Sequence, residues 1–170
     1  MRKSAKLSSV ILIVSIFFAM FPASAYAFDE SYATSLEAAA ETAAPAEAAG
    51  GPTYIDVSIE DQTLVYYING TPALVTPCVT GGPGRGTPRG VFAINSCVPG
   101  KYLTGPTWHV WVNRWMRFAG NCGIHDASWR KQFGGDIYKR NGSHGCVNIP
   151  RDQAYQLYNM VGIGTVVIVH

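Results

Sequence analysis

Residues 141–148 read Asn-Gly-Ser-His-Gly-Cys-Val-Asn and place Cys146 directly after a glycine and two residues after His144. A thiolate is a strong nucleophile, but a free thiol titrates at about 8.5 and needs help to ionise near neutral pH. A neighbouring imidazole can supply that help, and glycine lets a substrate carbonyl approach the backbone closely. Taken alone, the stretch is compatible with a reactive cysteine or with a buried structural cysteine in a turn.

Further blocks upstream extend this pattern. Residues 123–130 read Gly-Ile-His-Asp-Ala-Ser-Trp-Arg, and residues 133–136 read Phe-Gly-Gly-Asp. Together with residues 141–148, these blocks resemble the active-site signature of the L,D-transpeptidases. The resemblance consists of a histidine, a spacer at residues 126–142 and then Ser-His-Gly-Cys with Asn two positions on. Residues 87–90, Thr-Pro-Arg-Gly, look like that family's entry into a strand. The resemblance covers residues 53–170.

The resemblance implies acyl transfer through a cysteine. Cys146 would be the nucleophile, and His125 would be the general base that takes its proton. The donor and the acceptor would be peptidoglycan stem peptides. The thiolate attacks the carbonyl of an L-residue bonded to D-Ala, D-Ala leaves, and a side-chain amine of another stem captures the thioester. No cofactor and no metal is expected, and carbapenem β-lactams are the expected inhibitors.

The same resemblance suggests roles for residues around the nucleophile. Backbone N–H groups around His144, Gly145 and Cys146 would stabilise the oxyanion, and Ser143 would shape the turn or hold the substrate. Asp126 leaves three alternatives: its carbonyl orients His125, its carboxylate takes part in catalysis, or it is a solvated turn residue. The predicted substrate-binding residues are Asn148, Trp129, Tyr138 and Arg130.

Other functions stay open on the residues alone. Cys122, His125, His144 and Cys146 could form a tetrahedral zinc site, although a metal would consume the nucleophile. An L,D-carboxypeptidase would use the same acyl-enzyme with water as the acceptor. A wall-binding module without activity is a third alternative, and the intact pair of His125 and Cys146 argues against it.

The N-terminal residues predict export. Three basic residues precede an apolar run at residues 10–21, and Ala25 and Ala27 offer cleavage sites. This is the pattern of a secretory signal peptide over residues 1–27, and the run is shorter than the ~20 residues that span a bilayer. We therefore expect the protein in the cell wall, on the extracellular side of the cytoplasmic membrane, with membrane contact only through the signal segment.

The remaining chain divides by charge. Residues 28–52 hold five acidic residues, no basic residue and nine alanines, which predicts a flexible Ala/Glu-rich linker. Residues 53–170 hold ten Lys or Arg and six Asp or Glu, so this predicted domain would be attracted weakly to an anionic cell wall. The chain has no nucleic-acid-binding motif, and no nucleic-acid partner is expected.

The chain has four cysteines, an even number that ordinarily suggests disulfides in an exported protein. If Cys146 is a free thiol, then Cys78, Cys97 and Cys122 remain. Two alternatives follow for these three cysteines in an oxidising compartment. Either two of them form one disulfide, or all three are buried free thiols.

The periodicity from residue 53 onward predicts a mostly β domain. Alternation at residues 54–59, a β-branched and aromatic run at 62–68 and a third run at 73–79 predict a three-stranded meander. Asn69-Gly70 between the second and third runs is typical of a tight hairpin turn. The glycine-rich residues 81–86 lack the ending of a phosphate-binding loop and predict a connection between strands.

The second half predicts more strands and one clear helix. The family resemblance places the tryptophan-containing residues 112–116 near the substrate cleft. Apolar residues at helical spacing predict a helix at Arg151–Met160, begun by Pro150 and ended by Gly162 and Gly164. A buried strand at residues 165–169 would follow. The sum is a β-sandwich-like mixed sheet domain of about eight short strands and one or two short helices.

Overall fold

The computed structural model describes residues 51–170. The predicted signal peptide and all but the last two residues of the predicted linker lie outside the described residues. Residues 51–170 form eleven strands and two helices. The strands are β1 (Tyr54–Ser58), β2 (Thr63–Ile68), β3 (Thr71–Pro77), β4 (Gly90–Ala93), β5 (Ser96–Val98), β6 (Lys101–Gly105), β7 (Trp108–Val112), β8 (Trp115–Ala119), β9 (Cys122–Asp126), β10 (Val147–Ile149) and β11 (Val166–Val169), and the helices are α1 (Ile137–Asn141) and α2 (Arg151–Met160).

The predicted mostly β class is confirmed, but the predicted number of strands was too low. Two of the eleven strands, β5 and β10, have three residues each. Three residues are too few to display a period-two pattern, so such strands are recognised only through their hydrogen-bonded partners.

The strands form three sheets within residues 51–170. A five-stranded sheet has the order β3-β2-β1-β11-β4, a four-stranded sheet has the order β10-β9-β8-β5, and β6 pairs with β7 alone. Strands β1 and β11 run parallel, as do β9 and β10, whereas the other named pairs are antiparallel. The sheets are therefore mixed, as predicted.

Residues from both large sheets bury their side chains in one core. Ile55 on β1 and Val167 on β11 are fully buried in the first sheet, and Met116 on β8 and Ile124 on β9 are fully buried in the second. All four belong to one hydrophobic cluster, which also includes Leu157 of α2. This is the sandwich-like arrangement that the alternating patterns predict.

The predicted meander at the N-terminus of the domain is confirmed. Strands β1, β2 and β3 pair successively in antiparallel fashion. Asn69 and Gly70 between β2 and β3 have φ angles of 51° and 78°. Positive φ at both central residues is what a tight hairpin turn of the predicted kind requires, and Asn-Gly meets that requirement at low cost.

Helix α2 has the predicted bounds, and its buried residues are Ala154 and Leu157. Pro150 precedes its first turn, as predicted. Its end differs from the prediction, because Val161 follows the helix in an extended conformation and its N–H donates to Leu157 O. Within residues 51–170, no helix is long and apolar enough to cross a membrane.

Candidate active site

A tight turn presents Cys146 just before β10. Ser143 Oγ donates to Cys146 O at 2.5 Å and accepts from Gly145 N at 3.1 Å. Gly145 has φ +116°, and a Cβ added there would lie 2.9 Å from Cys122 Sγ. Only glycine fits this conformation and this close approach, which explains the residue before the cysteine.

The turn rests on the glycine-rich loop that was predicted as a simple connection. Ser143 N donates to Thr80 O at 2.9 Å, and Gly82 N donates to Ser143 O at 3.1 Å. A Cβ on Gly142 would lie 2.4 Å from Gly82 N, so the two backbones touch. The loop therefore connects strands, as predicted, and in addition supports the turn that carries Cys146.

Cys146 is a half-buried free thiol. Its Sγ donates to Asn121 O at 3.9 Å. Burial raises the pKa of the thiol to about 11, although a hydrogen bond from the Gly123 backbone opposes the shift and nearby Cys122 adds to it. A thiol with this pKa is protonated at neutral pH.

His125 on β9 is 3% exposed. Its Nδ1 donates to Asp126 O at 2.8 Å, which leaves Nε2 as the proton-accepting nitrogen of the neutral ring. The rings of Trp115 and Trp129 lie 5.7 Å and 6.0 Å from the imidazole. Burial lowers the pKa of His125 to about 4, and the contact with Asp126 only partly offsets this effect.

The carboxylate of Asp126 has a different function from its carbonyl. It is fully buried, and it accepts from Asn113 N at 2.7 Å, Asn113 Nδ2 at 2.7 Å and Arg114 N at 2.8 Å. It therefore holds the connection between β7 and β8. The sequence leaves three alternatives open for Asp126. In the structure its backbone carbonyl contacts His125, as the first alternative predicts, and its side chain is buried, so the alternative of a solvated turn residue is wrong.

One cavity of about 230 Å³ is lined by both Cys146 and His125. Parallel pairing of β9 and β10 contributes to this, because it places Asn148 opposite His125 in register. The other predicted site residues that line this cavity are Ser143, His144, Asn148, Trp129 and Arg130. Further lining residues, which were not predicted, are Arg85, Leu103, Trp108, Val110, Asn141 and Gly142.

Tyr138 is a predicted substrate-binding residue that does not line this cavity. It lies on α1, and its partly buried ring packs against the hydrophobic core. The segment between β9 and α1 thus brings Trp129 and Arg130 to the cavity, whereas Tyr138 on α1 lies outside it.

His144 is an exposed residue at the rim. Its Nε2 lies 3.1 Å from Arg85 Nη1, and its ring centroid lies 5.2 Å from that of Trp108. Because Arg85 Nη1 can only donate, His144 Nε2 is the acceptor in this contact. Burial and the charge of Arg85 lower the pKa of His144. Trp108 lies in the tryptophan-rich segment of the sequence, but no local pattern indicated Arg85.

Asn148 has an unsatisfied polar atom. The residue is 2% exposed, and its backbone pairs with Val79 in both directions, at 2.8 and 3.0 Å. Its Oδ1 is buried and has no hydrogen-bond partner within the described part of the chain. Asn148 also lines the cavity, and a buried unpaired acceptor is costly, so this side chain is a candidate for polar contact with a ligand.

A second cavity of about 390 Å³ is also lined by Cys146. It shares four lining residues with the first cavity, Leu103, Trp108, His144 and Cys146. Trp115 also lines it, in agreement with the expected cleft location of residues 112–116, whereas Val112 and Met116 are fully buried in the protein interior.

All four cysteines are free thiols in the structure. Within residues 51–170, no three His, Cys, Asp or Glu side chains are placed to hold a metal ion. The four candidate zinc ligands of the sequence lie in this range, so the structure gives the zinc alternative no support.

Comparisons with known proteins agree with this geometry. The family model of the YkuD L,D-transpeptidase catalytic domain matches residues 52–169. A comparison with curated protein sequences gives no match.

Several solved structures are similar. A crystal structure of a cysteine-to-serine mutant of Enterococcus faecium L,D-transpeptidase is 38% identical with a TM-score of 0.68, over 71% of this chain and 50% of that one. The E. faecium catalytic domain acylated by ertapenem is 37% identical with a TM-score of 0.64, over 72% of this chain and all of that domain. An L,D-transpeptidase from Mycobacterium tuberculosis is 26% identical with a TM-score of 0.63, over 69% of this chain and 57% of that one.

This chain therefore spans about half of the length of the E. faecium crystal structure, but the whole of the separate catalytic domain. The family-model match covers more than half of the present sequence. With the paired Cys146 and His125 in one cavity, these matches establish that the chain belongs to the YkuD family of L,D-transpeptidase catalytic domains.

Proposed function

We propose that the protein is an exported peptidoglycan L,D-transpeptidase that forms its acyl-enzyme on Cys146. The observation that carries the proposal is the cavity shared by Cys146 and His125, in which Asp126 O binds Nδ1 and leaves Nε2 free to accept a proton. The sequence supports export through its predicted signal peptide, and the family supports peptidoglycan stem peptides as donor and acceptor.

The two shifted pKa values suggest when the thiolate forms. The raised pKa of Cys146 keeps the proton on sulfur and the lowered pKa of His125 keeps its ring unprotonated, so the resting pair is neutral and proton transfer to Nε2 without attack on a carbonyl is unfavourable. Once the imidazole is protonated, its contact with Asp126 O stabilises the positive charge. Proton transfer therefore accompanies attack on the donor carbonyl.

The acylation half-reaction then balances in atoms and protons. Sγ of Cys146 bonds to the carbonyl carbon of the L-residue while Nε2 of His125 takes the thiol proton. The bond to D-Ala breaks, and the departing amine takes the proton back from His125. Gly145 N–H already donates to Ser143 Oγ, so the N–H groups of His144 and Cys146 are our candidates for stabilising the oxyanion.

Transfer repeats these steps with an amine in place of the thiol. A neutral side-chain amine attacks the thioester, and His125 takes one of its protons. The carbon–sulfur bond breaks, and His125 returns the proton to sulfur. The second cavity, which also reaches Cys146, offers an approach for the acceptor.

Incubation with disaccharide-tetrapeptides tests this proposal, with the products identified by mass. A cross-linked dimer supports transpeptidation. A tripeptide without dimer supports the L,D-carboxypeptidase alternative, and unchanged substrate would indicate a wall-binding module.

A carbapenem tests the nucleophile separately, since the E. faecium catalytic domain has been solved acylated by ertapenem. We expect one covalent adduct on Cys146 and none after Cys146→Ser, with the fold unchanged because one heavy atom differs. An adduct on Cys78, Cys97 or Cys122 would contradict the assignment.

A further inference from the structure

We propose that a basic pocket beside the catalytic cavity is a carboxylate-binding subsite centred on Arg130, and that it binds a free carboxylate of the donor stem peptide. This inference rests on the proposed function, because it names the recognition of the donor at the same site.

The pocket adjoins the place where the acyl bond would form. It measures about 530 Å³, and Trp129, Arg130 and Asn141 line both this pocket and the catalytic cavity. We call it the Arg130 pocket. Its remaining lining residues are Lys131, Gln132, Asp136, Ile137 and Arg140. A peptide held at Cys146 could therefore extend into it past the wall that the two spaces share.

Arg130 lacks a charged partner within residues 51–170. Its guanidinium is partly buried, and its Nη1 donates to the backbone carbonyl of Asn141 at 2.8 Å, which restricts its orientation. Its Nε is buried and makes no hydrogen bond, and no carboxylate of the described residues forms an ion pair with it. An arginine held in this way has unused hydrogen-bonding capacity and an uncompensated charge.

The other charges of the pocket strengthen its positive potential. Lys131 and Arg140 line it together with Arg130, and Asp136 is the acidic lining residue. The Asp136 carboxylate, however, is already paired with Lys139 Nζ at 2.6 Å. Three cations are thus left without an equivalent number of anions, and the pocket favours an anionic ligand.

A carboxylate of the donor peptide is the ligand that best fits this location. Guanidinium groups bind carboxylates through strong charge-assisted hydrogen bonds. A tetrapeptide donor ends in a carboxylate one residue beyond the bond that breaks, and one extended residue spans roughly 3.5 Å. A donor held at Cys146 would therefore bring this carboxylate, or another free carboxylate of the stem, toward the wall that the cavity shares with the Arg130 pocket.

The test compares three donor tetrapeptides: one with free carboxylates, one amidated at the terminal D-Ala, and one amidated at any other carboxylate of the stem. The enzymes are the wild type, Arg130→Gln, Arg130→Lys and the control Arg89→Gln. Arg89 is an exposed arginine that lines neither cavity nor the Arg130 pocket. Thermal unfolding of each variant verifies that it is folded.

We expect amidation at the recognised carboxylate to lower the wild-type kcat/KM about tenfold to a hundredfold, the usual range for a hydrogen bond to a charged group. The position of the sensitive amide identifies which carboxylate is bound. In Arg130→Gln, kcat/KM for the free donor should fall to the value for the amidated donor. The value for the amidated donor should be the same in Arg130→Gln as in the wild type. Arg130→Lys should keep part of the preference, and Arg89→Gln should keep all of it.

Equal preference in Arg130→Gln and the wild type would overturn the subsite while leaving the transpeptidase proposal intact. If the wild type consumes no donor and ertapenem does not acylate it, the proposed function fails and this inference fails with it. Binding of the donors to Cys146→Ser provides a readout that does not need turnover. Cys146→Ser should bind the free donor more tightly than the amidated donor, and the double variant with Arg130→Gln should bind both donors equally. Inorganic phosphate is also tested as an inhibitor of the wild type. If it inhibits more strongly than a free stem peptide at the same concentration, the pocket is a phosphate site and the proposal is overturned.

Discussion

His125 and Asp126 are consecutive and buried, but their side chains serve different purposes. The imidazole faces the cavity between Trp115 and Trp129, and its Nδ1 is held by the carbonyl of Asp126. The Asp126 carboxylate instead accepts hydrogen bonds from the backbone N–H and the side-chain amide of Asn113 and from the backbone N–H of Arg114. The backbone of Asp126 thus fixes the tautomer of His125, and its side chain holds the connection between β7 and β8.

The two histidines near Cys146 should differ in kinetics. We expect His125→Ala to lower the acylation rate on the order of 10²- to 10⁴-fold, because a general base is lost. His144→Ala should affect the chemical step less, because His144 contacts Arg85 and Trp108 at the rim, and should mainly weaken substrate binding. The measurement is single-turnover acylation, together with the rate of Cys146 alkylation against pH. If His144→Ala shifts the apparent pKa of the thiol and His125→Ala does not, the two assignments are reversed.

Asp126→Asn separates the backbone contact from a catalytic carboxylate. The substitution keeps the carbonyl that binds His125, and an amide oxygen can still accept from Asn113 N and Arg114 N. We therefore expect kcat to fall less than about tenfold, whereas loss of a catalytic orienting carboxylate costs on the order of 10⁴. Stopped-flow acylation of the wild type and Asp126→Asn measures the difference. A fall of a thousandfold in a folded variant would restore the carboxylate to the mechanism.

At the scale of elements, two short strands and one buried side chain position Cys146. The parallel pair β9 and β10 sets His125 opposite Asn148, and the turn before β10 carries Cys146. Gln62 is fully buried between β1 and β2 with φ +53°, and its side chain contacts the loop that supports this turn. Its Nε2 donates to Ile59 O at 2.6 Å and to Thr80 Oγ1 at 2.7 Å, and its Oε1 accepts from Thr80 N at 2.9 Å.

Gln62→Leu should destabilise the protein substantially. It conserves approximate size but leaves buried donors and acceptors of Ile59 and Thr80 unpaired, at about 1–3 kcal/mol for each such group. The exposed Gln156 on α2 provides the control, since Gln156→Leu should change the free energy of unfolding by at most about 0.5 kcal/mol. Urea unfolding followed by tryptophan fluorescence measures both. Equal stability of the two variants would show that the Gln62 network contributes little.

At the scale of the whole molecule, strand β11 closes the domain by joining β1 in parallel and β4 in antiparallel pairing. The N-terminal and C-terminal strands of the described residues are therefore adjacent in one sheet. The second sheet packs on the same core and carries β9, so burial of His125 depends on the assembled sandwich. This burial links the proton affinity of the base to the stability of the fold.

Stability should decrease as the pH falls from about 6.5 toward 4. The folded state lowers the pKa of His125 to about 4, whereas the unfolded state titrates near 6.5, so the unfolded chain binds more protons between these values. The contribution of His125 is complete above pH 6.5 and is progressively lost below it, by up to about 3 kcal/mol. Urea unfolding at pH 7.5 and pH 4.5 measures the change.

A non-titrating substitution isolates this effect from the titration of carboxylates. His125→Gln should be less sensitive to this pH change than the wild type, and His109→Gln, at an exposed position, should retain the wild-type sensitivity. An unchanged pH dependence in His125→Gln would mean that the buried histidine is not responsible.

Local patterns in the sequence determined several elements of the fold. Alternation predicted the meander, Asn69-Gly70 predicted its tight turn, and apolar spacing predicted α2 with the observed bounds. These features depend on residues close in the chain, so their physical cause is present in the sequence itself. The family resemblance singled out Cys146 and His125, which the structure brings to one cavity.

The partners of those residues were decided by the tertiary structure. No local pattern indicated that Asp126 binds Asn113 and Arg114 through its carboxylate, that Arg85 contacts His144, or that Tyr138 packs against the core. Such contacts join segments distant in the chain, and they form only when the sheets pair and pack. The shifted pKa values of His125 and Cys146 have the same origin, because burial removes water from groups whose ordinary values are set by water.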